Sequence, residues 1–473
     1  MESLFHHYCN TLLSIFIMKS KTFHAACFLG LTALSQINGQ EIKKDSLLGK
    51  PKDSLITKTE SRIPFDGYDL TWINGQNRQT DFPLTLKDKD GETILTGVTY
   101  VDAYYNYDFN RPKDNTHTIS SAIGRSNEVT INMASIGLET NYKNVVGRLW
   151  LQYGQMGSIV QDLDGTVNHG KNTSVGNLKY IREAAAGYHF NVMHGLNVEA
   201  GIFMSYIGLE SYVLGENWNY QRSLVCDFTP FYFQGARIQA YPSKKFKTEI
   251  WVLNGWQTYN SWNTGLGLGV SNYYRPTENL QLVANFYLNG KDTRNNPGVR
   301  RFHHDHSIVA RYYKNKESKG LSQAAFSINN HYGFQSGGGI KARDNYMIGT
   351  SVANRLWFHH NKIALTLRAD AVSNPGAYLA FSPSPVSQND FNDAIASGEK
   401  LKMFQGTATI DIMPNQFVTF RLEYGFRKSN IPYFAGREGT TSPDGWIDTP
   451  IESWRPDLRK SDSRFTLAVM FRL

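Results

Sequence analysis

Cysteine is nearly missing from this chain: Cys9, Cys27 and Cys226 are the only three in 473 residues. Two of them fall in a stretch that reads as an export signal, so the mature chain would keep Cys226 alone and could form no internal disulfide. Long apolar runs are also absent. Beyond the N-terminus nothing approaches the roughly 20 residues a membrane helix needs, and the mean hydropathy is −0.42. A helical membrane protein is therefore excluded. Charged residues make up 19%, below the usual share of about 25%. The formal net charge is +8, but no block of one sign stands out, so nucleic acid is not an expected partner.

Aromatic residues and glycine are abundant: aromatics reach 13%, with 26 Tyr and 27 Phe, and Gly occurs 40 times. A chain that is polar on average, aromatic-rich and free of long apolar runs suits a sheet whose apolar and polar residues alternate.

The N-terminus carries the marks of export. Met18-Lys19-Ser20-Lys21 is a basic start, "AACFLGLTAL" (25–34) is an apolar stretch, and small Gly39 precedes a cut. The true start is then expected at Met18. The expected organisation is a signal peptide over 1–39, a periplasmic lead-in over 40–92 and a transmembrane barrel over 93–473. Removing residues 1–39 takes away Lys19 and Lys21 against Glu2, which lowers the formal charge from +8 to +7.

"VTYVDAYYNYDF" (98–109) sets Val101, Ala103, Tyr105, Tyr107 and Phe109 on one face and Asp102, Tyr104, Asn106 and Asp108 on the other, because successive strand side chains point to opposite faces. The same alternation recurs in "VVGRLWLQYG", "LNVEAGIFMSY", "LQLVANFYL", "KIALTLRADA", "FVTFRLEYGF" and the closing "RFTLAVMFRL". Short polar turns at 143–144, 194–195, 242–244, 276–278, 316–318, 360–361 and 414–415 alternate with long segments rich in Asn, Gly, Ser and Pro. The pattern predicts an all-β fold: a transmembrane up-and-down antiparallel barrel of about 16 strands, with 14 to 18 compatible with the turns, and with both ends at the short-turn rim.

The polar face carries charges in mid-strand: Arg148, Arg237, Arg311, Arg368, Arg421, Glu139, Glu183, Asp370 and Glu423. Burying such groups dry costs several kcal/mol or more, so that face is expected to be wet and these nine residues to line a water-filled pore. The apolar face carries Tyr105, Tyr107, Phe109, Tyr153, Tyr206, Tyr424 and Phe426 towards strand ends, where aromatic girdles sit at the lipid boundary. One strand breaks the pattern. In "LKYIREAAAGYHF", Arg182 falls on the apolar face with Tyr180 and Ala184.

Four stretches also have a familiar wording: "FDGYDLTWINGQNRQTDFPL" (65–84), "YVDAYYNYDFNRP" (100–112), "GIFMSYIGLESY" and "NWNYQRS" (within 201–223). In that order they resemble the OmpL-like β-barrel porin family of Gram-negative outer membranes, and the likeness runs from about residue 65 to the end. The resemblance implies a porin-like channel and carries no substrate. Outer-membrane assembly signals usually end in an aromatic residue, whereas here Phe471 is followed by Arg472 and Leu473; the assembly machinery remains an expected partner.

No other chemistry stands out. "FHHDHS" (302–307) offers His303, His304 and His306, but the spacing is too tight for a defined metal site and fits a wet loop better. "GLGLG" (265–269) reads as strand, not as a phosphate cradle. A lipase would need Ser and His close together on the exterior, and the apolar faces are read as offering neither. No catalytic residue, metal or cofactor is expected. The expected function is passive diffusion of small hydrophilic solutes or ions across the outer membrane, with membrane lipid and those solutes as partners and a homo-oligomer compatible with it. An adhesin acting through long loops over a blocked lumen is the alternative. The loop 207–229 carries Glu210, Glu216, Arg222 and Asp227 among Tyr212, Trp218, Tyr220 and Phe228. So many aromatics suit a loop folded inward, narrowing the channel.

Overall fold

In a computed structural model the protein is described over residues 64–75, 77–115, 122–162, 175–227, 229–260, 265–288, 298–379, 400–437 and 457–473. The expected export signal, the first part of the expected lead-in and Phe228 lie outside the described residues.

Sixteen strands follow the turns read from the sequence. They are β1 (Thr93–Asp108), β2 (Val129–Tyr142), β3 (Val145–Tyr153), β4 (Ile181–Phe190), β5 (Leu196–Met204), β6 (Tyr232–Ser243), β7 (Phe246–Leu253) and β8 (Gly267–Thr277). The second half comprises β9 (Leu280–Leu288), β10 (Arg300–Lys314), β11 (Leu321–Ser336), β12 (Tyr346–Phe358), β13 (Ile363–Ser373), β14 (Lys402–Ile412), β15 (Val418–Ser429) and β16 (Ser461–Arg472). Each is antiparallel to its sequence neighbours, and β16 pairs with β1 through Phe465↔Tyr107 and Phe471↔Val101, closing the ring. A closed ring satisfies every strand's backbone groups from its neighbours and leaves no edge, which is what lets a sheet cross lipid. No helix among the described residues is long and apolar enough to cross a membrane; the strands do it.

The local causes are visible in the sequence. Lys143 and Asn144 both take positive φ, 48° and 69°, the geometry of a tight hairpin that matches strand twist. Along the strands, Ile136, Leu138, Leu149, Ile238, Ile250, Leu367, Ile410, Phe420 and Leu467 are exposed on the outside. Their inward neighbours, such as Trp150, Trp251, Arg368 and Glu423, are buried. The apolar belt is the lipid-facing surface.

Three local readings are corrected. Arg182 is not on the lipid face: the β3–β4 register shifts between Trp150 and Leu151, and this bulge turns Arg182 inward, its guanidinium 3.7 Å from the centre of the Trp150 ring. Tyr206 leaves the outer girdle, because the chain bends after β5; it is buried, stacks on Phe233 and Trp251 and donates a 2.9 Å hydrogen bond to the Phe286 carbonyl. Residues 302–307 form the middle of β10 rather than a loop, so His303 and Asp305 face in while His304 and His306 face out.

Candidate functional site in the barrel interior

After β5 the chain does not stay at the rim. Residues 207–227 run into the lumen, and one short 3-10 turn, Leu214–Glu216, is the only regular structure among these described residues. An irregular segment buried this way must find partners for its backbone groups, and the barrel wall provides them. The Glu423 carboxylate accepts from the Tyr220 and Gln221 N–H groups at 2.6 and 2.9 Å, and Asp370 accepts from Leu224 N–H at 2.8 Å. In the other direction, Arg421 donates to the carbonyls of Leu214 and Asn217 at 3.2 and 2.9 Å. Arg355 donates to the Trp218 carbonyl at 3.1 Å, and Arg368 to that of Gln221 at 2.7 Å. Near its start Gly208 takes a φ of +87°, which strains any side chain, and a Cβ there would lie a tight 3.0 Å from the Cys226 sulfur.

Apolar side chains of the loop reinforce this anchoring. Tyr212, Val213, Leu214 and Tyr220 pack with Tyr100, Tyr104 and Met133 of the wall, and Leu224, Val225 and Cys226 pack with Met347, Val372 and Met403. Tyr220 also donates to Asp102 at 2.7 Å.

A second segment enters from the short-turn rim. Part of the stretch expected as lead-in, residues 64–81, is bonded to four of the short turns. Phe65 N–H donates to the Lys244 carbonyl, Tyr68 OH to Pro276 and Arg78 to Asn415, and Asp69 meets Lys316 at 3.0 Å. Trp72 and Ile73 reach inside and share an apolar cluster with Trp218 of the loop and with Val309, Ala353 and Trp357 of the wall. The two segments touch where Gly75 N–H donates to the Glu216 carbonyl at 2.8 Å. Burial works to raise the Asp69 carboxyl, but the Thr71 hydroxyl and the Lys316 and Arg311 cations outweigh it and hold the group far below the ordinary range. Glu278 is likewise lowered, by Lys314 and the Asp69 N–H.

Beside this column of protein lies a cavity of about 120 Å³, lined by Asn74, Glu210, Glu216, Arg275, Gln281 and Arg368 among others. That is room for several waters, with acids on the loop side facing arginines on the wall.

The nine wall charges expected to line the pore all project inward, but they do not share one environment. Asp370, Glu423, Arg368 and Arg421 are buried beneath the loop, so the expectation of a uniformly wet face is corrected there: the loop removes the water and supplies bonds in its place. Arg311 is also buried, its guanidinium bonded to Asp69 at 3.0 Å and to Glu278 at 2.8 Å. Arg148, Arg237, Glu139 and Glu183 stand on the other wall. There Arg148 meets Glu199 at 2.6 Å and Glu183 at 3.5 Å, Arg237 meets Glu199 at 2.7 Å, and Glu139 accepts from the Trp150 indole at 2.8 Å.

The loop charges also divide. Glu210 bridges to Arg368 at 2.8 Å and Glu216 reaches Arg472 at 3.6 Å, both beside the cavity. Arg222 and Asp227 are turned into the loop itself, where Arg222 donates to the carbonyls of Glu210 and Asp227 and lies against Phe231. Cys226, the one cysteine among the described residues, is fully buried; a bulky thiol reagent would not reach it in the folded barrel.

Several interior residues were not singled out from sequence: Asp102, Glu199, Glu249, Arg275, Arg355, Asp411, Arg427 and Arg464. Their inward parity was readable from the alternation. Their partners, such as Asp411 between Arg355 (2.7 Å) and Arg421 (2.6 Å), depend on which strands become neighbours.

A closed sixteen-strand barrel with an apolar outer belt, its ends at the short-turn rim and a loop folded into its interior is an outer-membrane channel in architecture. The chain matches the family model described as "Putative beta-barrel porin-2, OmpL-like" over residues 95–473. It belongs to that family, the OmpL-like outer-membrane porins of Gram-negative bacteria. No curated protein matches it in sequence. Among solved structures it is similar to OmpT of Vibrio cholerae, at 10% identity over 82% of this chain and 99% of that one, with a TM-score of 0.46. It is also similar to the outer membrane channel DcaP of Acinetobacter baumannii (11% identity, 82% of this chain and 99% of that one, TM-score 0.45). An anion-selective porin from Comamonas acidovorans gives 9% identity, 81% and 100% coverage and a TM-score of 0.47.

Proposed function

We propose that this porin passes small hydrophilic solutes and ions down their gradients through a passage bounded by the loop 207–229 on one side and the β8–β13 wall on the other. The observation that carries the reading is the cavity between Glu210 and Glu216 of the loop and Arg275 and Arg368 of the wall. Fixed charges of both signs replace part of a solute's hydration without holding it, which is what a non-specific aqueous filter needs. On this reading the protein catalyses no reaction. The exterior does carry histidines, contrary to the reading of the apolar faces. Their partners are not those of a nucleophile: His304 and His306 bond to each other at 3.2 Å, to the Asn285 carbonyl and to Asn330.

Those outward polar groups support a homo-oligomer. His304, His306 and Asn330 sit side by side on the lipid face of β10 and β11, and Tyr312 bonds Asn354 at 3.0 Å nearby. Polar side chains are costly against lipid and stabilising against another protein surface. We propose that a second copy covers this face, which cross-linking from a cysteine placed at Asn330 would show.

Planar-bilayer recording from the purified protein tests the channel reading. Stepwise ion conductance is expected. Absence of conductance from correctly folded protein would favour the adhesin, whose long loops bind over a blocked lumen.

A further inference from the structure

We infer that His303, His331 and Asp305 form a binding site for one divalent transition-metal ion of the zinc class, on the inner wall beneath the stem of the loop. Asp305 and His331 are direct cross-strand partners in the β10–β11 register, and His303 is two residues before Asp305 on the same face. All three side chains are buried, and their ligand atoms lie within 4.8 Å of one another.

The hydrogen bonds around the rings make this more than a cluster. The Asn329 amide nitrogen donates to Ser307 Oγ at 3.0 Å and to the His306 carbonyl at 3.3 Å, which turns its oxygen towards His331 Nε2 at 2.9 Å. That oxygen can only accept, so the His331 proton is on Nε2 and Nδ1 presents a lone pair. Tyr378 donates its hydroxyl hydrogen to the Phe302 carbonyl at 2.9 Å, and its oxygen is 2.9 Å from His303 Nδ1. When the phenol oxygen accepts from Nδ1, His303 Nε2 presents a lone pair; in the other tautomer His303 Nε2–H donates to His331 Nδ1. These two nitrogens, His303 Nε2 and His331 Nδ1, face each other at 3.0 Å. A bound cation takes the place of the proton between them, with both nitrogens as ligands. Two imidazoles on one tetrahedral zinc, with bonds of 2.0–2.1 Å, place their nitrogens about 3.3 Å apart, close to the spacing already present.

Asp305 supplies the anionic ligand and is itself oriented, accepting from Asn285 Nδ2 at 3.0 Å and from Gly208 N–H at 3.1 Å. Each ligand thus has the outer hydrogen bond that metal ligands characteristically carry. Gly333, opposite His303, makes the space: a Cβ there would lie 2.3 Å from the Tyr378 hydroxyl and 2.7 Å from His303 Nδ1. Two imidazole nitrogens and one carboxylate suit Zn²⁺, Co²⁺ or Ni²⁺ over Mg²⁺ or Ca²⁺, with the fourth position left to water. Both ends of the loop touch the site, Gly208 through Asp305 and Cys226 through Asn329 at 3.3 Å. A bound ion would stiffen the loop's attachment.

Read as a loop, the three close histidines His303, His304 and His306 point to no defined metal site. As a strand, the same residues split between faces, and the decisive partner, His331, comes from β11.

The test uses the purified, EDTA-treated full-length barrel titrated with Co²⁺ and then Zn²⁺. The expected result is one Co²⁺ per chain with the visible absorption of a low-coordinate N/O site, displaced by Zn²⁺. His331→Gln and His303→Ala are each expected to weaken binding at least about tenfold, and Asn329→Ala by about 10–100-fold. His304→Ala/His306→Ala, on the outer face, is expected to keep both the stoichiometry and the spectrum. Folding of each variant is checked by heat-modifiable migration, and His331→Gln, nearest in shape, serves where His303→Ala fails to fold. No saturable cobalt spectrum in the wild type overturns the inference. So does a spectrum that survives in folded His331→Gln or disappears in His304→Ala/His306→Ala.

Discussion

Two walls of the same barrel use the same residue types in opposite ways. On β12–β16, Arg355, Asp370, Asp411, Arg421 and Glu423 are all under the loop, with exposures of 4% or less. On β3–β7, the Arg148 side chain keeps 21% exposure, Lys247 18% and Arg237 10%. The first set spends its hydrogen bonds on loop backbone and on tight pairs such as Asp411 with Arg421. The second pairs strand to strand, as Lys247 does with Glu249 at 2.9 Å, and remains partly wet. On the first wall inward charges anchor the loop; on the second the cations Arg148, Lys247 and Arg237 stay partly wet while their partners Glu199 and Glu249 are buried.

The sharpest way to break this comparison is Arg421→Ala. It leaves the carbonyls of Leu214 and Asn217 without that donor and Asp411 with Arg355 alone. Removing one partner of a buried network costs about 3–5 kcal/mol. The midpoint of denaturant unfolding in detergent should fall accordingly, and conductance should become noisy as the loop loosens. An unchanged midpoint would mean the loop is not held by the wall.

Next in size is Asp69→Asn, which removes the clasp between residues 64–81 and the Arg311, Lys314 and Lys316 cations. Tryptic cleavage after Arg78 should accelerate by about tenfold as local opening becomes easier. The pH dependence follows from the lowered acids. A carboxyl held below its ordinary value contributes fully above that value and loses its contribution as pH falls through the depressed one. The clasp should therefore hold unchanged from about pH 8 to about pH 5 and loosen only well below about pH 4. A steep change in cleavage rate between pH 8 and 6 would contradict this.

Arg148→Ala probes the wetter wall. Glu199 keeps Arg237 at 2.7 Å, so the loss should be at most about 1 kcal/mol, a small fraction of the Arg421 effect. Equal losses at the two positions would erase the distinction between the walls. Smallest of all is selectivity. A formal charge of +7 once residues 1–39 are removed, against +8 for the whole chain, and the five arginines among the nine named wall charges predict a slight anion preference at low salt that fades as ions screen it. The reversal potential in a salt gradient measures it, and a cation preference would count against the assignment.

How much of this was legible in the sequence follows from how far each feature reaches along the chain. The strands and turns were readable because alternation and turn chemistry are local; the seven short turns and the number of strands agree with the reading, while 302–307, read as a loop, lie within β10. The inward parity of Arg368, Asp370, Arg421 and Glu423 was readable for the same reason. Their burial was not, because it depends on a loop that reaches them from over a hundred residues away in sequence, as Leu224 does to Asp370 (|i−j| of 146). Arg182 escaped because a single-residue bulge inverts parity without changing composition. The His303–His331 pair escaped because β10 and β11 bring it together across a hairpin.

The central claim is that the loop 207–229 bounds the passage. It is tested most directly by single-channel recording on a variant in which residues 214–225 are replaced by a short Gly-Ser linker, with folding verified by heat-modifiable migration. The account predicts a higher unit conductance and faster uptake of larger neutral sugars in liposome swelling than the intact protein shows. Unchanged conductance and an unchanged size limit in the folded variant would contradict it.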